Sequence, residues 1–137
     1  MHTLREKATA SVAIAAGEPV FFQATADPTK FELVGIAGFV AGDKFAGIAV
    51  EACGASEVCY YAPPGADALL GVTAAGPWLP GDIVYFEEAG PGLVVAPTGG
   101  VDQAIARVKP IRSLDETVSS VAGPNYIAVT VLNGLPF

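Results

Sequence analysis

The sequence predicts an all-β fold with little helix, and three observations carry that expectation. Short segments rich in β-branched and aromatic residues recur at close spacing, at 12–14, 20–22, 31–35, 45–51, 58–61, 70–73, 83–86, 93–96, 105–111 and 126–132. Turn-forming clusters separate them: Ala26-Asp27-Pro28, Ala41-Gly42-Asp43, Ala62-Pro63-Pro64-Gly65, Leu79-Pro80-Gly81-Asp82, Ala89-Gly90-Pro91-Gly92, Pro97-Thr98-Gly99-Gly100 and Gly123-Pro124-Asn125. Sixteen Gly and 11 Pro are too many for a helical bundle and too dispersed for a low-complexity segment. Short strands with frequent turns build a barrel or a sandwich.

Taken in order, residues 1–11 are polar and read as an N-terminal arm ahead of a single β-domain, 12–137. The run Gly17-Glu18-Pro19-Val20-Phe21-Phe22 is echoed by Gly81-Asp82-Ile83-Val84-Tyr85-Phe86, and each is followed by a turn and a second strand. Gly42-Asp43-Lys44-Phe45 is a partial third copy. The glycine takes the positive φ of a turn, the acid bonds nearby amides, and a strand begins. Val101, Ala104, Ile105 and Val108 follow helical spacing, but Pro110 limits any helix, so a short turn feeding a strand is expected. Residues 113–120 read as a loop or short helix, with Ser113 and Glu116 at capping-box spacing.

The chain is 52% hydrophobic and 15% charged, against about 25% charged in an average soluble domain. With so little charge to cover it, part of the surface is expected to be buried against partners. The net charge of −7 argues against nucleic acid, which requires clustered Lys and Arg. Arg107 and Lys109 would share one strand face, as a charged guard or a small docking patch for an acidic partner. No apolar run reaches the roughly 18 residues of a membrane span, and the Ala-rich stretch 8–16 lacks a signal-peptide cleavage site.

Catalysis is not expected. The only histidine, His2, sits near the N-terminus, which removes Ser-His-Asp and Cys-His schemes and most zinc or copper sites. No phosphate-cradling glycine motif is present, and no cofactor is implied. Glu87 and Glu88 would face opposite sides of a strand, and Asp43 and Asp82 belong to turns. Cys53 and Cys59 flank a hairpin loop; a disulfide is geometrically open to them, but reduced thiols are favoured because no wider disulfide framework exists. Trp78, between two prolines, is either an interface anchor or a core cap. Tyr60 and Tyr61 place one ring on each side of a sheet.

The run Ala41-Gly42-Asp43-Lys44-Phe45-Ala46-Gly47-Ile48-Ala49-Val50-Glu51-Ala52 resembles the glycine–acid turn and Gly-Ile-Ala-Val strand of capsid decoration proteins of tailed bacteriophages, also called cement or head-stabilising proteins. Gly71-Val72-Thr73, the run from Leu79 to Phe86, Ala104-Ile105-Ala106-Arg107-Val108 and the closing strand from Tyr126 to Leu132 extend the resemblance over about residues 12–132. It implies a compact β-barrel of the β-tulip type. It also implies a homotrimer bound to the major capsid protein, at three-fold or quasi-three-fold positions on the outer surface of an expanded virion shell. The arm, with Thr3, Leu4, Arg5, Lys7, Thr9 and Ser11, would touch the capsid. Two other functions fit the residues: a β-module recognising glycans or peptides through Trp78, Tyr60 and Tyr61, and a small carboxylate-based hydrolase or lyase.

Overall fold

The computed structural model describes residues 4–24, 32–72, 78–88, 92–94, 102–109 and 125–134. These hold ten strands: β1 (Glu6–Ala10), β2 (Pro19–Phe22), β3 (Glu32–Val34), β4 (Lys44–Ala49), β5 (Val58–Ala62), β6 (Asp67–Val72), β7 (Ile83–Glu87), β8 (Gly92–Val94), β9 (Gln103–Val108) and β10 (Asn125–Val131). A single 3-10 turn, Ile36–Gly38, accompanies them. The first five strands close into a barrel in the order β1-β3-β2-β4-β5, and the last five form a curled sheet in the order β6-β10-β9-β7-β8. The all-β expectation holds.

Three local expectations change. No strand forms over 12–14; Ile14 makes only an isolated bridge to Cys53. The segment expected to be an arm instead supplies β1, held antiparallel to β5 from Glu6↔Tyr61 to Thr9↔Val58 and parallel to β3 at Ala10↔Leu33. Its sequence, Glu-Lys-Ala-Thr-Ala, has Thr9 as its one strand-favouring residue, so its neighbours' ladders decide its conformation. The strand expected at 105–111 forms as β9 but starts earlier, at Gln103, in place of the short turn expected before it. The turns expected at 26–28, 89–91, 97–100 and 123–124, and the loop at 113–120, lie outside the described residues.

One turn recurs five times among the described residues. At 15–18, 40–43, 54–57, 63–66 and 79–82 the fourth residue's N–H donates to the first residue's carbonyl at 3.0–3.2 Å. The third residue has positive φ in each: Gly17 (+82°), Gly42 (+102°), Ser56 (+69°), Gly65 (+92°) and Gly81 (+89°). The second residue does not, which makes these type II turns, and Pro64 and Pro80 occupy the position where proline's fixed φ fits. In four of the five the fourth residue is Glu18, Asp43, Glu57 or Asp82, whose carboxylate accepts the first residue's N–H at 2.6–3.0 Å. A strand follows each turn directly. This is the Gly–acid–strand unit, and it also covers Ser56-Glu57-Val58, which the glycine pattern hides.

The two sheets are copies of one five-stranded unit. Read round the closed ring in the other direction the barrel order is β1-β5-β4-β2-β3, and replacing β1–β5 by β6–β10 gives the curled sheet's β6-β10-β9-β7-β8. Registers agree residue for residue: Phe21↔Val34 and Phe22↔Leu33 correspond to Tyr85↔Val94 and Phe86↔Leu93. Both copies carry a bulge at the same step, Val20/Phe21 and Val84/Tyr85, where Ala46 and Ile105 are the extra residues of the partner strands. The unit differs only at its last joint: β1 pairs with β3, whereas β6 and β8 are sheet edges among the described residues.

The core explains that difference. Ala10, Val20, Leu33, Ala46, Ala49, Cys59 and Tyr61 fill the barrel interior, and their equivalents Val72, Val84, Leu93, Ile105, Val108, Ile127 and Val129 line the concave face of the curled sheet. That concave face encloses the outside of the barrel: Phe21, Val34, Ile48 and Ala62 point into it. The Phe21 ring packs tilted against Phe86, with centroids 4.6 Å apart and planes inclined at 49°. The middle barrel strands are therefore buried on both faces, which is why Pro19–Phe22 reads as a continuous apolar run.

Candidate binding surface

Where the two units meet, the chain builds a cleft around Gly17. Its N–H donates to Ala49 O at 2.8 Å within the barrel, and its carbonyl accepts the N–H of Gly71 from β6 at 2.9 Å. One residue thus ties both units by backbone alone. A Cβ on Gly17 would lie 2.8 Å from Tyr126 Cε1 and 2.9 Å from Gly71 N, so only glycine admits this approach. The Tyr126 ring lies over Gly17 and Gly71, opposite which it pairs in the sheet. The resulting cleft, of about 300 Å³, is lined by Ala16, Gly17, Ala49 and Val50 of the barrel and by Ala68, Leu69 and Tyr126 of the curled sheet, with Arg5 as its one charged wall.

Its walls are unusually apolar for a surface: Leu69 is 59% exposed, Tyr126 51% and Val50 37%. On the same outer face, beyond Tyr126 and Ala128, Lys109 Nζ meets Asp67 Oδ2 at 2.8 Å. Arg107 Nη1 reaches Gly81 O at 3.4 Å.

The residues singled out in sequence fall in different places. Leu4 and Arg5 are exposed ahead of β1, and Arg5 reaches the cleft. Lys7 and Thr9 are exposed on the outer face of β1, while Ser11 Oγ donates to Leu33 O at 3.2 Å. Thr3 lies outside the described residues. Trp78 is fully buried in the core between the units, which decides for a core cap and against a surface anchor. It occupies the position of Ile14 in the repeat, and its Nε1–H has no partner among the described residues. Tyr60 is 41% exposed, whereas Tyr61 points into the barrel. Burial, and secondly the negative charge of Glu6, push the Tyr61 phenol above its ordinary value of 10.0.

The cysteines are corrected. Cys53 and Cys59 form a disulfide with Cα atoms 5.6 Å apart, because the 54–57 turn folds the chain back at bonding range. The acids serve the turns: Glu18 also accepts the Ile36 N–H at 2.7 Å, and Asp43, only 2% exposed, also accepts the Ala24 N–H at 2.8 Å. Glu88 accepts a bond from Gln103 at 2.8 Å. Among the described residues no three His, Cys, Asp or Glu gather as metal ligands.

Sequence reasoning missed Val50, Leu69 and Tyr126 as surface residues, since each sits in a strand pattern that reads equally well as core. The one available signal was the glycine pair at 17 and 71, which marks a close approach rather than two ordinary turns.

No family model matches the sequence. No curated protein matches it either. In fold, the chain is similar to the N base of head fiber gp8.5 of bacteriophage phi29. The TM-score is 0.54 at 11% identity, over 98% of this chain and 97% of that one. At this identity the likeness concerns the fold, and its coverage takes in both the barrel and the curled sheet.

Proposed function

We propose that this chain is a structural virion protein of a tailed phage, a homotrimer that binds the major capsid protein on the outer surface of an expanded capsid and stabilises it. The observation that carries this reading is the nearly end-to-end fold likeness to the base of a phage head fiber. The resemblance of residues 12–132 to decoration proteins supports it independently, and the β-tulip barrel of those proteins is compatible with the closed barrel seen here. A scaffold of five stiff turns and two shared cores suits a protein that contributes many small contacts, multiplied by capsid symmetry, rather than chemistry.

Because β1 is locked into the barrel, docking by the N-terminal stretch falls to the residues ahead of it, Thr3 and Leu4 among them. The glycan- or peptide-binding alternative is weakened, since Trp78 and Tyr61 are both buried. The test is co-sedimentation with expanded, empty capsids, together with their melting temperature. Saturable binding at three-fold positions with a raised capsid melting temperature is the expected result. A folded chain that leaves capsids bare refutes the reading. Deleting residues 1–4 should lower capsid occupancy without changing the fold.

A further inference from the structure

The outer face that runs from the cleft across β6 and β10 is anomalous for this chain. It is apolar at its centre, with Leu69, Tyr126 and Val50 all more than a third exposed. Around that centre stand Arg5, Lys7, Arg107 and Lys109, four of the seven Lys and Arg in a chain that carries 14 acids. Arg5 and Lys7 approach from the barrel side, with Lys7 opposite Tyr60 on β5. Arg107 and Lys109 approach from β9, where Arg107 lies opposite Thr130 of β10. Acids also stand on or beside this face, Asp67 paired with Lys109, Glu6 between Arg5 and Lys7, and Glu51 next to Val50, but the rest of the chain holds 11 acids against three Lys and Arg.

We infer that this basic-rimmed apolar face is the contact by which one copy of the chain binds the next. Charge complementarity selects the occupant. With a net charge of −7 and four of its seven cations on one face, the remainder of a second copy carries a net negative charge that this face attracts. Two such faces set against each other would oppose cation to cation, so the contact is head-to-tail. A head-to-tail contact that closes makes a ring in which every cleft is covered. The apolar centre supplies the burial and the four cations supply register, the usual division between the core and rim of an interface.

This inference rests on the oligomer of the proposed function and names the surface that makes it. The experiment is sedimentation equilibrium of the full chain at low and high salt, with Leu69→Glu and Arg5→Glu as test variants. Val40→Glu is the control: Val40 is equally exposed, at 57%, but precedes β4 whereas Val50 follows it, about 20 Å away along the strand. The expected result is an oligomer that loosens on the order of tenfold or more in either test variant and at high salt, with Val40→Glu unchanged. All variants should keep the wild-type circular dichroism spectrum. A monomeric wild type, or a Leu69→Glu variant that assembles as tightly as wild type, overturns the inference. Capsid co-sedimentation separates the two claims: an assembled chain that ignores capsids refutes capsid docking alone, and a monomer that decorates capsids refutes this interface alone.

Discussion

Replacing Gly17 by alanine isolates the close approach on which the two units depend. The repeat supplies its own control, because Gly81 occupies the same turn position with nearly the same backbone, φ +82° against +89°. Both substitutions force an L-residue into left-handed space at a cost of about 1–2 kcal/mol. Both recover part of it, about 0.4–1 kcal/mol, by restricting the unfolded chain. They differ in what the methyl meets. Nothing lies within 4 Å of a Cβ on Gly81, whereas one on Gly17 meets Tyr126 Cε1 at 2.8 Å and the Gly71 backbone N at 2.9 Å. Relieving that overlap must displace the Tyr126 ring and lengthen the Gly71 N–H to Gly17 O bond, an overpacking cost of about 1–3 kcal/mol. Gly81→Ala should therefore lose about 1 kcal/mol and Gly17→Ala about 2–4 kcal/mol, read from urea denaturation at constant m-value. In thermal scans the two should fall by roughly 4 °C and 10 °C respectively. Equal losses in the two variants would refute the argument that Gly17 is a packing residue as well as a turn residue.

The acids that close the turns should be unequal in the same way. Asp43→Ala removes a buried carboxylate that accepts both the Ala24 and the Val40 N–H and should cost about 2 kcal/mol, whereas Asp82→Ala loses only the exposed bond from the Leu79 N–H and should cost about 1 kcal/mol; comparable urea midpoints would contradict this. Reducing the Cys53–Cys59 disulfide should leave the fold intact but lower its stability by about 2 kcal/mol, the loop-closure estimate for so short a loop, and an unchanged midpoint after confirmed reduction would count against it. Tyr61 should ionise above pH 10, followed as the ultraviolet difference between wild type and Tyr61→Phe, and Glu6→Gln should bring that transition down only partway because burial is the larger cause. Since its folded value is raised, the stability it confers is complete below pH 10 and is lost as pH climbs through the folded value; a variant of Glu6 with no effect on the transition would remove the assigned cause.

Much of this fold was legible in sequence, and what was not has physical reasons. β2 to β10 each begin within a few residues of an aromatic or β-branched run, so propensity and packing agree there. β1, with the sequence Glu-Lys-Ala-Thr-Ala, has neither signal. It is a strand because β5 on one side, and β3 at its end on the other, offer ladders to fill. The echo between Phe21-Phe22 and Tyr85-Phe86 was visible because turns conserve their chemistry, but it understated a repeat of five whole strands. Cys53 and Cys59 were misjudged from the lack of a wider disulfide framework when the decisive fact was the turn between them. The binding face was the least legible feature: period-two alternation tells which residues share a face, never which face is covered.

The reason one unit closes and its copy does not lies in the size of the inward residues. In the first unit β1 and β4 turn Ala8, Ala10, Ala46 and Ala49 toward the barrel axis; the equivalent positions of the second hold Leu70, Val72, Ile105 and Val108. Five strands leave little room inside a barrel, and alanines let β1 come close enough to pair with β3. Leucine, isoleucine and valine at the same places hold the second sheet open, and an open concave sheet exposes exactly the apolar surface that would drive aggregation unless something filled it. The first barrel fills it, with Phe21 as the central plug against Phe86. Closure of one copy and opening of the other are thus a single device, since each needs the other to bury its apolar residues. It also fixes where the cleft must be: along the line where a rounded barrel leaves the rim of a curled sheet, the two surfaces diverge, and Gly17, Val50, Leu69 and Tyr126 lie on that line.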